Sequence, residues 1–152
     1  MIFCNKNCNK NCNKNCDKNC DKNYWKVGKI MDKACNTYIT DKDCIFCKII
    51  DGQIPSSKVY EDDAVVAFND INPQAKVHVL IVPRNHYKNV VELAQNDCDV
   101  LDHIACVAQK IANDFYNGDY RLVFNTGLGA GQTVFHVHAH VLTGEKLEEG
   151  SL

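Results

Sequence analysis

From Val100 onward, apolar residues recur at spacings of three and four: Val100, Leu101, Ile104, Ala108, Ile111 and Phe115. That period predicts a long amphipathic helix, and Asn117-Gly118 supplies its stop. Before it the pattern is that of strands. "SKVYED" and "AVVAFND" read as two strands around a turn at Asp62-Asp63, and "KVHVLIVP" reads as a third, ended by Pro83. "YRLVFN" reads as a fourth, followed by a glycine-rich loop. The last apolar stretch, "FHVHAHVL", alternates strictly and predicts a further strand with His136, His138 and His140 on one face and Val137, Ala139 and Val141 on the packed face. "DCIFCKIIDGQIP" predicts a short helix from Cys44 to Ile50, stopped by Gly52 and Pro55. Strands in one sheet with one long helix on a face make an α+β domain.

The first forty residues have another texture. Cys4, Cys8, Cys12, Cys16 and Cys20 recur every four residues among Asn, Lys and Asp, with nothing to bury. Residues 1–40 are therefore expected to be a disordered low-complexity extension, with a soft-metal tract as the functional alternative, and residues 41–152 the folded domain. Met31 is a second possible start. Charge follows the same division: residues 1–33 carry +5 and the remainder −7, within a net −2. An acidic body lacks the clustered basic face of a nucleic-acid-binding domain. No apolar run approaches the roughly 18 residues of a membrane span, and "MIFCNKNCNK" has no signal-peptide core. The expected compartment is the cytoplasm, where the ten cysteines would mostly be thiols or metal ligands, not disulfides.

Three imidazoles on one face want a partner that rewards the arrangement, a metal or a bound anion. Histidine could there bind zinc, act as general acid or base, or attack as a nucleophile. Just upstream, "NTGLGAGQT" places Gly127, Gly129 and Gly131 where backbone N–H groups can approach a phosphate closely. The bland reading of that loop is a hairpin turn. Cys44-x-x-Cys47 has metal-ligand spacing, but a closed tetrahedral site needs two more ligands. Otherwise these are two ordinary buried thiols.

The stretch His136-Val137-His138-Ala139-His140-Val141-Leu142 resembles the motif of the histidine triad family. The resemblance is to the Hint-like, purine nucleoside phosphoramidase branch and covers residue 43 to about residue 144, through "CIFCKI", "AFNDINPQAKVHVLIVPRNH" and "GAGQTVFHVHAHVL". It implies an antiparallel sheet of about five strands with one long helix and a short N-terminal helix, dimerising through a continued sheet. It also implies a hydrolase of AMP joined to an amine, working through a nucleotidyl-histidine. Hydrolysis of diadenosine polyphosphates, or a nucleotide-binding adaptor with incidental catalysis, are the alternatives.

Residue by residue, the resemblance makes His138 the nucleophile, and makes His140 a phosphate contact that assists the leaving group. Thr133 stands where the family usually has serine and would contact or protonate the departing group. Gln132 and the backbone around Gly131 would hold phosphate oxygens, Asn125 the phosphate or ribose, and Asp70 the ribose hydroxyls. Ile45, Phe46, Ile49, Phe68, Ile71 and Leu80 would form the base slot, and His78 would orient the site. Part of the family completes a structural zinc site from the two cysteines with the positions of His86 and His136. His103, on the long helix, reads as a solvated surface residue.

Overall fold

The computed structural model describes residues 38–149. The cysteine repeat, the possible start at Met31 and the basic stretch to residue 33 lie outside the described residues. Tyr38 is already tied to the body, its hydroxyl donating to the Asp63 carbonyl at 3.1 Å.

Five antiparallel strands form one sheet in the order β1-β2-β3-β5-β4. They are β1 (Lys58–Glu61), β2 (Val65–Asn69), β3 (Val77–Pro83), β4 (Arg121–Val123) and β5 (Ala139–Thr143). Three α-helices accompany them among the described residues: α1 (Ile45–Ile50), α2 (Val90–Asn96) and α3 (Cys98–Phe115). Period-two alternation sends each strand's residues to two different cores. Val65, Ala67, Val79, Ile81, Ala139 and Val141 pack beneath Val100, Ile104, Val107, Ala108 and Ile111 of α3. Val66, Phe68, Leu80 and Val82 face the other way, against Phe46, Ile49 and Ile50 of α1. The register sets Phe68 opposite Leu80 and Leu80 opposite His140. One row across the sheet thus carries an apolar floor up to an imidazole.

Two elements differ from the sequence expectation. The histidine strand is paired only from Ala139, not from His136. In this register Pro83 would stand opposite Val137, and proline has no N–H to donate to a ladder. The Val137 amide donates instead to the Tyr87 carbonyl, at 2.7 Å, and keeps its side chain in the α3 core. The second difference is α2, a short helix ahead of the long one. Asn89 caps it, its side-chain oxygen accepting from the amides of Val91 and Glu92. Gly118 ends α3 as expected, with φ of +93°. No helix among the described residues is long and apolar enough to cross a membrane.

His103 is not simply solvated. Its Nε2 lies 2.6 Å from Asp62 Oδ2, and Asp62 also accepts from the amides of Ala64 and Val65 and from the Tyr60 hydroxyl. The β1–β2 turn is thereby fastened to α3. Burial raises the Asp62 carboxyl, but the hydrogen bonds from His103, Val65, Ala64 and Tyr60 outweigh it and hold it well below the usual carboxylate range. A depressed folded value stabilises above the unfolded one and is lost as pH falls toward the folded one. Asp62→Asn is expected to cost about 1–3 kcal/mol at pH 7. Urea denaturation should show the gap from wild type closing as pH drops below about 4.

Candidate functional site

Five of the six histidines stand in a row along the α1 side of the sheet. Ring centroids are 4.6 Å apart for His86 and His136, 5.0 Å for His138 and His140, and 5.2 Å for His140 and His78. Phe46 of α1 meets His136 and His138 edge-on, at 6.1 and 5.1 Å. Because neutral imidazole has one N–H and one lone pair, the bonding partners fix which nitrogen carries the proton.

His138 Nδ1 lies 2.7 Å from the His136 carbonyl, which only accepts, so the proton sits on Nδ1 and the lone pair on Nε2. Burial lowers the His138 pKa, partly offset by that hydrogen bond and by the Asp70 charge, which keeps the ring neutral at pH 7. His140 is pushed down to about 4 by burial and by its neighbours His138 and His78. A neutral ring with an available Nε2 lone pair is a nucleophile or a base.

At one end of the row, Cys44, Cys47, His86 and His136 bring their ligand atoms within 4.8 Å of one another. Cys44 Sγ is 3.5 Å and Cys47 Sγ 3.6 Å from His136 Nδ1, and Cys47 Sγ is 3.4 Å from His86 Nδ1. A tetrahedral zinc with ordinary bond lengths needs sulfur–nitrogen edges of about 3.6 Å. His136 Nε2 donates to the Pro83 carbonyl at 2.9 Å, which turns the Nδ1 lone pair toward the thiols. That is the outer-shell bond typical of a metal-bound imidazole. The four residues therefore fit a metal ion of zinc type. Without one, burial and the neighbouring Cys44 raise Cys47 to about 11.

At the other end, Asp70, His78 and His140 also bring three potential ligand atoms together. Here the main chain argues against a metal. The Gln74 amide donates to His78 Nδ1 at 3.1 Å, which places the His78 proton on Nε2. That Nε2–H then donates to His140 Nδ1 at 2.9 Å, so His78 Nε2 has no lone pair for a metal and that of His140 Nδ1 is already engaged. Asp70 Oδ2 lies 3.5 Å from His78 Nε2 and 4.0 Å from His140 Nδ1. Its other oxygen accepts from the Asn72 amide at 2.8 Å.

The loop before the triad is closed upon itself. The amides of Ala130 and Gln132 donate to the Gly127 carbonyl, and that of Gly131 to Leu128. Buried Gln132 accepts from the Gly127 amide and donates through Nε2 to the carbonyls of Lys88 and Val134. Gln132 and the amides of Ala130 and Gly131, in the stretch the sequence assigned to phosphate, here bond within the loop and shape it. Gly131, at φ of +82°, brings its Cα edge close to Asn125, whose Nδ2 would lie 3.9 Å from a Cβ there. Thr133 is exposed and lines a cavity of about 310 Å³ with Asp41, Asp43, Cys44, Ile45, His86, Val134 and Phe135.

Of the expected base slot, Phe46, Ile49, Phe68 and Leu80 gather in one apolar cluster. Ile45 stays at the rim, 46% exposed, and Ile71 projects from the β2–β3 loop, 92% exposed, outside the cluster. Ile50, Val66, Val82 and Val134 join it unforeseen. The alternation of Val66 with Phe68 would have pointed to Val66.

Residues 43–151 match the family profile described as "Scavenger mRNA decapping enzyme C-term binding". An uncharacterized HIT-like protein of Synechocystis is 46% identical over 104 residues, 68% of this chain and 91% of its own. Among solved structures, a HIT family hydrolase from Legionella pneumophila is 39% identical, with a TM-score of 0.68 over 72% of this chain and 100% of its own. A Zn-bound histidine triad family protein from Mycobacterium smegmatis is 28% identical, with a TM-score of 0.63 over 70% of this chain and 78% of its own.

Proposed function

The chain belongs to the histidine triad family, and on that premise we propose that it is a nucleotide-binding hydrolase cleaving the P–N bond of adenosine 5'-phosphoramidates. One observation carries the reading. His138 is neutral, its proton engaged by the His136 carbonyl, so its Nε2 lone pair is directed away from the backbone. Beside it, the buried Nε2 of His140 has no partner among the described residues. By the bonding at its Nδ1 that atom is a donor, and a buried donor without an acceptor costs about 1–3 kcal/mol until a ligand oxygen satisfies it.

In this reading His138 Nε2 attacks the α-phosphorus and the amine departs; water then hydrolyses the nucleotidyl-histidine. Splitting one displacement in two lowers each barrier. The His140 Nε2–H and the Asn125 amide hold phosphate oxygens, and Gln132 keeps the loop in shape. The exposed Thr133 hydroxyl faces the departing group. The purine lies against Phe46, Ile49, Phe68 and Leu80, with Ile45 at the rim, and Asp70 accepts from the ribose hydroxyls.

Zinc on Cys44, Cys47, His86 and His136 is the cofactor this reading assigns. It would supply a crosslink between α1, the turn after β3 and the triad segment, and none of the chemistry. The short edge strand β4, with Phe115 and Tyr116 exposed at the end of α3, supports a homodimer through a continued sheet.

The deciding experiment mixes the protein with adenosine 5'-phosphoramidate and quenches in alkali, where phosphohistidine survives. Mass spectrometry should find one AMP unit on the peptide containing His138. Steady release of AMP without that adduct, or an adduct on another residue, would overturn the proposal. A diadenosine polyphosphate run in parallel ranks the leaving groups.

A further inference from the structure

We propose that the main-chain amide of Gln74 sets the proton positions of the row, so that His140 serves as a neutral hydrogen-bond donor to the phosphoryl group and does not protonate the departing amine. The inference rests on the functional reading above. Its geometry begins in the β2–β3 loop. The Asp70 amide donates to the His78 carbonyl at 2.9 Å, Asp70 Oδ1 accepts from the Asn72 amide at 2.8 Å, and Gln74 Nε2 donates to the Asn72 carbonyl at 3.1 Å. These bonds fix the turn and aim the Gln74 N–H at His78 Nδ1.

A backbone N–H is an obligate donor. His78 must therefore offer Nδ1 as acceptor and carry its proton on Nε2, which donates to His140 Nδ1 at 2.9 Å. His140 in turn must carry its proton on Nε2, the buried atom without a partner among the described residues. The order Gln74 to His78 to His140 thus ends in one N–H aimed into the site. Asp70 Oδ2, 3.5 Å from His78 Nε2, adds a negative charge beside the shared proton.

The same chain of bonds denies His140 the role of acid. Were its Nε2 proton to leave, the ring would be an imidazolate unless His78 passed its own proton across. His78 would then be the imidazolate, because its Nδ1 faces an amide that does not release hydrogen. The row is closed at Gln74, and no excess proton enters from that end. When the His138 Nε2–P bond forms and the P–N bond breaks, the electron pair leaves on the amine nitrogen. That nitrogen takes its proton from water over the Thr133 hydroxyl. Across both steps water supplies the proton to the amine and the hydroxyl to the phosphorus.

The test begins without substrate. Long-range ¹H–¹⁵N correlation on histidine-labelled protein at pH 7 should give His78 and His140 the Nε2–H pattern and His138 the Nδ1–H pattern. Gln74→Pro removes the amide; His78 should then show Nδ1–H signal, with turnover down about tenfold or more and KM within about threefold. Gln74→Ala, which restores the amide, should recover both the pattern and the turnover. His140→Gln, a neutral donor, should stay within about tenfold of wild type, while His140→Ala loses about 10²–10³-fold.

The proposal is overturned by a charged or Nδ1–H His140 in the wild type, by unchanged tautomers in Gln74→Pro, or by His140→Gln falling to the alanine level. Should Gln74→Pro not fold, the wild-type spectrum and the His140 pair decide alone. The expected tautomers with no AMP adduct on His138 would instead sink the functional reading and leave the tautomer lock standing.

Discussion

His138→Ala is expected to lower turnover of an adenosine phosphoramidate by at least about 10⁴-fold, the order seen when a covalent nucleophile is removed from a site that otherwise stays intact. AMP binding should survive, because the apolar floor of Phe46, Ile49, Phe68 and Leu80 does not depend on this imidazole. The fold should survive as well. The side chain gives up one hydrogen bond to the His136 carbonyl and an edge contact with Phe46, while neighbouring Val137 remains anchored in the α3 core. Steady-state rates, calorimetric titration with AMP and a thermal melt would check the three parts together. Turnover within tenfold of wild type would mean that another group attacks the phosphorus.

The second large effect is on stability. Cys47→Ser is expected to abolish stoichiometric zinc, read by atomic emission, and to cost several kcal/mol, since metal bound only by the folded state is folding free energy. The reason is positional. Cys44 and Cys47 sit at the start of α1, His86 just past β3 and His136 before β5. One ion would hold three segments that are otherwise joined by weaker contacts. Turnover per folded molecule should change by less than about tenfold, because His138 is not among the four ligands. The zinc contribution should fade in acid: protons compete for both thiolates and both imidazoles, so affinity drops as pH falls. Loss of turnover on chelation without any loss of melting temperature would point to a catalytic metal instead.

Much of this was legible in the order of residues. The strands showed because β2 and β3 are buried on both faces, which leaves long apolar runs, and α3 showed because its buried residues keep a helical period along 18 residues. The helix α2 did not show. Only Leu93 of its seven residues is buried, and what starts it is the Asn89 cap. The break at His136 could not be read from the alternation itself, which continues unbroken through it. It follows from Pro83, more than fifty positions earlier, arriving opposite Val137. The link of Asp62 to His103 is likewise nonlocal, 41 residues apart. At the site, residue types announced the chemistry, but proton positions did not. They are dictated by the carbonyls of His136 and Pro83 and by the Gln74 amide, main-chain groups that residue types do not announce, beyond the exclusion of proline at position 74.

The pairing of Leu80 with His140 also governs how the protein can misassemble. Sliding β5 by one position against β3 would exchange its faces. His140 would then be driven beneath α3, where Ala139 and Val141 are now fully buried, and the α1 side of the strand would be paved with alanine and valine. Burying an imidazole there with no acceptor would defeat the slipped pairing before it could persist. The histidines of the proposed site would thus also act as a check on register, favouring the pairing that keeps them on the α1 side of the sheet.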